Sequence, residues 1–147
     1  MNIQEEALRL TKHGWAVFPV KGKIPTCPHG FKDAERDPEK VKALFLKYPG
    51  DGVAGATGKA SGCFALDKDI KNGAGGDESL RLLERVHGEL PETVQSITAS
   101  GGEHYIFKYP KAGIGSNASV VAKGIDIRGD GGYIVLPPSP GYQWEAS

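Results

Sequence analysis

Two aspartates, Asp67 and Asp69, stand one residue apart at the end of the apolar segment Cys63–Leu66. In an extended chain, side chains at positions i and i+2 project from the same face, with Cα atoms roughly 6.5–7 Å apart. Two ionised carboxylates at that separation repel each other unless a cation or water lies between them. The pair is therefore compatible with a divalent metal site. It is equally compatible with a solvated turn, because the segment DKDIKNG is rich in turn-forming residues.

The segment SGGEHYIF, which begins at Ser100, combines groups that suit an anionic ligand. Gly101 and Gly102 allow the backbone to come close to a ligand, and small loops rich in N–H groups bind phosphates. His104 opens the strand that is predicted to follow, so its ring can point to one face of a sheet. A histidine at the start of a strand is also common as a structural residue, and the segment alone does not separate the two roles.

A third aspartate, Asp126, lies between Ile125 and Ile127, so on a strand it points away from both isoleucines. Arg128 shares its face, which is compatible with a simple ion pair beside the turn RGDGG. Taken together, the three aspartates predict more, because three carboxylates can hold two divalent cations ~3.5–4 Å apart for in-line phosphoryl transfer. A histidine and an arginine would then neutralise triphosphate oxygens. The combination predicts a nucleotidyl-transfer site.

The hydrophobic pattern predicts the elements that must position these residues. Three helices are expected, over residues Ile3–His13, Asp37–Tyr48 and Asp77–His87, the second with Asp as N-cap and Pro at the first helical position. Seven strands are expected, over Trp15–Val20, Val53–Ala56, Gly62–Leu66, Thr93–Thr98, His104–Tyr109, Gly124–Ile127 and Tyr133–Leu136. The last two strands are joined by RGDGG in the manner of a hairpin. Helices come early and strands late, which predicts an α+β domain with a largely antiparallel sheet.

Composition limits the class of protein. The chain has 147 residues, of which 39% are hydrophobic and 24% are charged, as is usual for one globular domain with a buried core. No apolar run approaches the ~20 residues of a membrane helix, and the acidic N-terminus MNIQEEALRL is unlike a signal peptide. Because two cysteines make no disulfide framework, we expect one domain over residues 1–147, cytoplasmic and without a membrane partner.

The formal net charge is zero, which argues against a chain that binds duplex nucleic acid without specificity. A local basic groove remains compatible with that total, because lysines that are distant in the sequence can cluster in the fold. Four lysines are candidates for contact with a template strand or with phosphates: Lys21, Lys23, Lys32 and Lys108.

Two other kinds of site can be excluded. The segment DGVAGATGKASG is not a P-loop, because the pattern G-x-x-x-x-G-K-[ST] would need glycine at Val53 and a hydroxyl residue at Ala60. A zinc site is not expected either, because Cys27, His29 and Cys63 lack the paired spacing of zinc ligands.

The chain resembles the bifunctional primase-polymerase (prim-pol) domain of the archaeo-eukaryotic primase superfamily. The resemblance is carried by the helix after GGDESL and by the segments HGWAVFPVKGKIPT, GFKDAERDP, GVAGATGKASGCFALDKDI, LPETVQSITASGGEHYIF and GIDIRGDGGYIVLPPSPGYQW. That family occurs in plasmid, phage and prophage replication proteins. The resemblance covers nearly the whole chain, and the last segment is the most specific. It implies a mixed or largely antiparallel sheet flanked by helices around an RRM-like catalytic unit, with the site on the open face of the sheet.

The resemblance also implies an activity and its cofactors. The expected function is that of a DNA primase/polymerase, which joins nucleoside triphosphates on a single-stranded DNA template, with or without a primer. Asp67 and Asp69 match the D-x-D motif and Asp126 the single-aspartate motif, so the three are expected to bind two Mg²⁺ or Mn²⁺ ions. Family members usually continue into further helices and a helicase. This chain ends soon after the last motif, so we expect a minimal catalytic core or a domain truncated at its C-terminus.

The remaining motif concerns the incoming nucleotide. Ser100 and His104 match the family's serine and histidine around a glycine pair, and that histidine contacts nucleotide phosphates. The Gly101-Gly102 amides, and Arg128 by its charge and face, are expected to complete the phosphate site. One position departs from the family, since Lys68 replaces the usual apolar residue between the two aspartates. On a strand Lys68 would point away from the metals, which predicts that the opposite face is wetter than usual.

Two alternatives from other classes remain. A metal-dependent replication-initiator nuclease would need a His-x-His pair, which the sequence lacks, and a tyrosine on a helix, whereas Tyr105 and Tyr109 fall on a predicted strand. A non-catalytic nucleotide-binding module would keep the pocket without activity. The intact aspartates disfavour this second alternative, and the short chain keeps it open.

Overall fold

The computed structural model describes residues 2–145, and within that range it contains three α-helices, two short 3₁₀ helices (Gly30–Asp33 and Lys71–Gly73) and ten strands. The α-helices are α1 (Ile3–Thr11), α2 (Pro38–Lys47) and α3 (Gly76–His87). The strands are β1 (Ala16–Lys21), β2 (Ile24–Pro25), β3 (Gly52–Ala56), β4 (Cys63–Lys68), β5 (Val94–Ile97), β6 (Glu103–Lys108), β7 (Asn117–Ala122), β8 (Ile125–Arg128), β9 (Tyr133–Leu136) and β10 (Gln143–Trp144). The predicted α+β class is confirmed.

The helix boundaries follow from local signals. The Asp37 carboxylate accepts a hydrogen bond from the Lys40 N–H at 3.1 Å, and Pro38 occupies the first turn of α2, as the sequence predicted. The side chain of Asn2 caps α1 in the same way. α1 ends before its predicted end, because the chain leaves the helix through a turn in which Gly14 has a φ of 96°.

The strands form two sheets, and every pair of neighbouring strands is antiparallel. The first sheet has four strands in the order β2-β1-β3-β9, and the second has six in the order β10-β5-β6-β4-β8-β7. The sequence did not predict β2, β7 or β10. β2 and β10 have two residues each, and β7 is mostly exposed with a register shift, so none of them shows a regular alternation.

The prediction that the last two strands form a hairpin is wrong. β8 pairs with β4, whereas β9 pairs with β3 in the other sheet. The burial patterns explain the separation: β8 alternates buried isoleucines with the half-buried Asp126 and Arg128, while β9 is almost wholly buried and matches the wholly buried β3. Two of the three connections between the sheets, β3 to β4 and β8 to β9, contact each other, since the Thr57 hydroxyl donates to the Gly129 carbonyl at 2.7 Å.

One core cluster joins the two sheets. It combines residues of α1, α2, both sheets and Trp15: Ala7, Leu10, Trp15, Val17, Val41, Phe45, Val53, Ala65, Ile106, Ile134 and Leu136. Burying each of the large apolar side chains contributes about 1.5–3 kcal/mol before entropy is subtracted. Ala65 and Ile106 show which face of the six-stranded sheet meets this core, and α3 contacts β4 and β8.

None of the helices between residues 2 and 145 combines the length and the apolar character that a passage through a lipid bilayer requires.

Candidate active site

A row of polar side chains crosses the six-stranded sheet. The strand register places Ser96 opposite His104, His104 opposite Asp67, and Asp67 opposite Asp126. Directly paired residues of antiparallel strands project from the same face. Four adjacent strands, β5, β6, β4 and β8, therefore present these four side chains side by side. The fold thus brings together His104 and two of the three predicted metal ligands.

Three members of this row, His104, Asp67 and Asp126, line a cavity of about 230 Å³. Six of the predicted site residues line it: Asp67, Asp69, Ser100, His104, Asp126 and Arg128. The opposite wall includes residues of β9 with Tyr142 and Lys23. The site is therefore a cleft covered by residues from the four-stranded sheet, and the expectation of an open sheet face is corrected. The reason is that Ala65, two residues before Asp67 on the same face, belongs to the core that joins the sheets.

Asp67 has positive or donor groups on two sides. His104 Nε2 lies 3.4 Å from Asp67 Oδ1, and Arg128 Nη2 lies 3.6 Å from Oδ2. Burial raises the pKa of Asp67, but the interaction with His104 and the charges of Arg128 and Lys23 outweigh that effect and hold the pKa below its ordinary value. The carboxylate is therefore ionised at neutral pH, as a ligand of a cation must be.

Asp126 is fixed from both sides. Its Oδ2 accepts from Arg128 Nη2 at 3.1 Å, and its Oδ1 accepts from the Ser119 N–H at 2.9 Å. Ser119 has a φ of 54° in the irregular part of β7, which turns its N–H towards the aspartate. Because Arg128 contacts both Asp67 and Asp126, its guanidinium supplies the positive charge that two neighbouring carboxylates need.

Asp69 lies in a turn, which was one of the two interpretations of the Asp67–Asp69 pair, and it also lines the site cavity. It follows the last residue of β4, and its Oδ1 accepts from the Lys71 N–H at 2.9 Å within a turn. Its own N–H donates to the Gly124 carbonyl at 2.8 Å, which ties the turn to the start of β8. Asp69 is exposed and lines the same cavity as Asp67 and Asp126. It is therefore a turn residue with its carboxylate beside the site.

The three carboxylates fit a divalent cation by their chemistry, since Mg²⁺ and Mn²⁺ prefer oxygen ligands. As the side chains stand within residues 2–145, no three of the Asp, Glu, His and Cys residues are arranged to hold a metal ion jointly. Arg128 bridges Asp67 and Asp126, and Asp69 is engaged by a backbone N–H. The site therefore contains the carboxylate oxygens that a divalent ion prefers as ligands. As the side chains stand, the Arg128 guanidinium balances the negative charge of Asp67 and Asp126.

Gly101 and Gly102 are absent from the lining of the cavity, and each has a conformational role; phosphate binding by their amides stays a prediction. Gly101 has a φ of 89°, which side chains rarely allow. A Cβ on Gly102 would lie 2.3 Å from the carbonyl oxygen of Lys68, so only glycine lets the loop pack against the end of β4. These glycines hold the loop that carries Ser100 to the cavity and leads into His104.

Lys68 points to the opposite face of the sheet, as the sequence predicted, but that face is not wet there. Its Nζ lies 2.8 Å from Glu103 Oε1 and 2.7 Å from Asp77 Oδ1, and the residue is only 8% exposed. Burial lowers the pKa of Lys68, but the hydrogen bonds to Asp77 and Glu103 outweigh it and raise the pKa above its ordinary value. The expectation of a wetter face is wrong, because α3 and β6 supply two carboxylates that the sequence pattern does not reveal.

Of the four candidate lysines, Lys23 is the one that lines the site cavity. Lys108 lines a second, larger and mainly apolar cavity of about 790 Å³ beside α1 and Trp144, which lacks the aspartates. Sequence reasoning missed Ser96, Tyr133 and Tyr142. Alternation along β5 shows that Ser96 shares a face with Thr98, but it does not reveal the register that puts Ser96 beside His104.

Comparison with known proteins identifies the family of the chain. The family model of the bifunctional DNA primase/polymerase, N-terminal domain, matches residues 7–147. A search of curated protein sequences gives no match. The matched range includes every residue that lines the site cavity and all four members of the polar row. The chain therefore belongs to the bifunctional DNA primase/polymerase (Prim-Pol) family.

Proposed function

We propose that residues 1–147 form a catalytic domain for template-directed nucleotidyl transfer, the reaction of a DNA primase/polymerase. Membership of the family supports this role in general terms. The assignment of residues is carried by one observation: the register of three adjacent strands puts His104, Asp67 and Asp126 on one face, and they line one cavity. Nucleoside triphosphates, a single-stranded DNA template and a primer are the proposed substrates. The helicase partner is expected from the family resemblance alone.

Asp67, Asp69 and Asp126 are the proposed ligands of two Mg²⁺ or Mn²⁺ ions. Such ions, when bound, make the attacking hydroxyl more acidic and stabilise the charge on the transferring phosphate and on pyrophosphate. The contribution of this chain is to keep the Asp67 carboxylate ionised in a partly buried cleft. The lowered pKa of Asp67 supports that role.

The triphosphate is the proposed partner of the donors around the same cavity. His104 Nε2, the Arg128 guanidinium, the Ser100 hydroxyl and the Lys23 ammonium all belong to side chains that line it. A guanidinium can bind phosphate oxygens through two parallel N–H bonds, and Arg128 makes only one hydrogen bond to Asp126, so its remaining N–H groups can pair with the triphosphate. Lys23 lies in the turn between β1 and β2 of the four-stranded sheet, so a nucleotide in the cleft would contact residues from both halves of the fold.

A non-catalytic nucleotide-binding module is the second candidate. It is favoured by the balance of charge in the cleft, where Arg128 already bridges Asp67 and Asp126 without a cation. Such a module would bind a nucleotide and would not join it to a primer.

The decisive measurement is extension of a labelled primer on a DNA template with dNTPs and Mn²⁺. Asp67→Asn and Asp126→Asn keep the side-chain volume and remove the charge, so extension is expected to fall by roughly 100-fold or more, as when a group that stabilises transition-state charge is lost. Glu39→Gln is the matched control, because this exposed carboxylate on α2 pairs only with Lys42 in the described residues.

Calorimetry with a dNTP and Mn²⁺ separates the two candidates. Nucleotide binding without extension by the parent chain would support the non-catalytic module. Extension that is undiminished in both aspartate variants would mean that the proposed site is wrong.

A further inference from the structure

Two buried polar atoms beside the site have no hydrogen-bond partner within residues 2–145: the hydroxyl oxygen of Ser96 and Nδ1 of His104. Ser96 is completely buried and His104 is 5% exposed. A buried polar atom without a partner forfeits its bonds to water and gains nothing in return, so native proteins rarely leave one unpaired. The two atoms belong to neighbouring residues but do not bond to each other as the side chains stand, so a bond between them needs a small side-chain adjustment or one bridging water.

The sheet places the two residues where they can do so. Ser96 on β5 is the direct cross-strand partner of His104 on β6, so their Cβ atoms share a face at roughly 4.5–5.5 Å. In the sheet order, β6 lies between β5 and β4, and His104 therefore stands between Ser96 and Asp67. The ring turns Nε2 towards Asp67 at 3.4 Å. Ser96 lies behind the ring and does not line the cavity.

The contact with Asp67 at 3.4 Å favours one of the two tautomers of the neutral imidazole without fixing it alone. A carboxylate offers only lone pairs, so a nitrogen that faces it is favourable only when it bears hydrogen. Nε2 is then the donor, and Nδ1 must be an acceptor that needs an O–H group. Ser96 supplies one on the correct side. Thr98 shares the face, but its hydroxyl is already within 3.4 Å of the Ser100 hydroxyl.

We propose that Ser96 is a positioning residue for His104. Its hydroxyl donates to Nδ1, directly or through one water, and thereby fixes both the tautomer and the ring orientation that present Nε2–H to the cavity. Ser96 acts on an incoming triphosphate only through His104. The tautomer part of the inference stands on the geometry alone, while the nucleotide part rests on the proposed function.

The first test is the nitrogen spectrum of the His104 ring in the full chain, recorded by NMR at about pH 8, above the ordinary imidazole pKa of ~6.5. The His104 signals are assigned by their loss in His104→Gln. The parent chain is expected to show the Nε2–H tautomer, and Ser96→Ala is expected to show a mixture of tautomers. Ser96→Thr keeps a hydroxyl and is expected to restore the parent pattern.

Ser139→Ala is the matched control, because Ser139 is also fully buried and its hydroxyl bonds only to the Val53 backbone. It is expected to lower stability and to leave the His104 tautomer unchanged. Thermal unfolding of each variant confirms that a folded chain is being compared. A Ser96→Ala spectrum identical to that of the parent overturns the inference.

The second test is the affinity for a dNTP with Mn²⁺, measured by calorimetry. Ser96→Ala is expected to weaken it about 10-fold, the lower end of what the loss of a hydrogen-bond partner behind a functional histidine costs. An unchanged affinity would contradict the nucleotide part of the inference. If the parent chain binds no dNTP at all, the proposed function fails, and the tautomer measurement still decides the role of Ser96.

Discussion

Arg128 can pair either with the carboxylates of the site or with the phosphates of a nucleotide, and these two interactions compete for its guanidinium. Its guanidinium contacts Asp126 at 3.1 Å and Asp67 at 3.6 Å, so it neutralises the two carboxylates that we propose as metal ligands. Its side chain is 37% exposed, so solvent weakens both pairs. A bound divalent ion would take over the same negative charge. Arg128 would then be available for the phosphates of a nucleotide.

Replacing Arg128 with a neutral residue tests its effect on metal binding and its effect on nucleotide binding separately. In Arg128→Gln, Mn²⁺ without nucleotide is expected to bind about 2- to 5-fold more tightly, because a partly exposed ion pair of ~0.5–1 kcal/mol no longer competes. The KM for the dNTP is expected to rise in the same variant, because a phosphate contact is lost. Calorimetry and primer-extension kinetics measure the two effects.

Arg128→Lys is the comparison that tests geometry, since it keeps the charge and loses the planar fork. It is expected to restrain Mn²⁺ binding as arginine does and to restore the KM only in part. Weaker Mn²⁺ binding in Arg128→Gln would show that Arg128 supports the metal site and does not compete with it.

At the scale of elements, α3 is attached by charge as well as by apolar packing to the face of the six-stranded sheet that lies opposite the polar row. Lys68 of β4 bonds to Asp77 in the first turn of α3 and to Glu103, its cross-strand partner on β6. The pKa of Asp77 is lowered, first by its hydrogen bond to Lys68. Lys68 therefore connects α3 to the two strands that carry Asp67 and His104 on their other face.

Lys68→Met keeps most of the apolar stem and removes the charge, which leaves Glu103 without its cation. The free energy of unfolding at pH 7 is expected to fall by about 1–2 kcal/mol, less than the roughly 3–5 kcal/mol of fully buried pairs, because solvent reaches the carboxylates. Chemical unfolding measures the difference. Lys111→Met, in an exposed loop, is the control and is expected to change little.

The pH dependence of that difference follows from the shifted pKa values. A lowered carboxyl pKa contributes stability that is present above the ordinary value of ~3.9 and is lost as pH falls through the folded value. A raised lysine pKa contributes stability that is present below ~10.4 and is lost only as pH rises through the folded value. The difference between parent and Lys68→Met is therefore expected to be constant from about pH 5 to 10 and to shrink in acid. A difference that is unchanged in acid would show that the ion pairs do not cause it.

For the molecule as a whole, the joining of two sheets determines whether a cleft exists. Gly55 of β3 lies where this joining is tightest, since a Cβ there would meet the Trp15 ring at 2.3 Å and Leu136 at 2.9 Å. Trp15 and Leu136 belong to the core that includes Ala65 and Ile106 of the six-stranded sheet. Space at Gly55 is therefore a condition for the packing that closes the cleft.

Gly55→Ala is expected to lower the free energy of unfolding by about 1–3 kcal/mol, the usual effect of overpacking a core. Gly115→Ala is the matched control, because a Cβ there meets no atom within 4 Å, and its stability is expected to stay within about 0.5 kcal/mol of the parent. Thermal or chemical unfolding of the two variants tests this. Equal stability of both would mean that the core tolerates the extra methyl group by shifting Trp15.

Local signals were enough to predict much of this protein. The N-cap Asp37 with Pro38, the apolar strands and the order of elements predicted the helices and the α+β class, which the structure confirms. The residues of the candidate site could also be recognised from the sequence alone, because two carboxylates separated by one residue and a glycine pair before His104 are local patterns. Their proposed roles remain predictions, since periodicity shows the face of a residue and not its partner.

Tertiary structure alone decided the register, and with it the site. A strand's alternation is the same whichever neighbour it pairs with, so the sequence could not show that Ser96, His104, Asp67 and Asp126 form one row. The sequence also could not show that β8 and β9 belong to different sheets, or that residues of the four-stranded sheet cover the face that carries the polar row. Both features depend on contacts between distant segments. Local preference determined which groups this protein carries, and long-range strand pairing determined which of them meet.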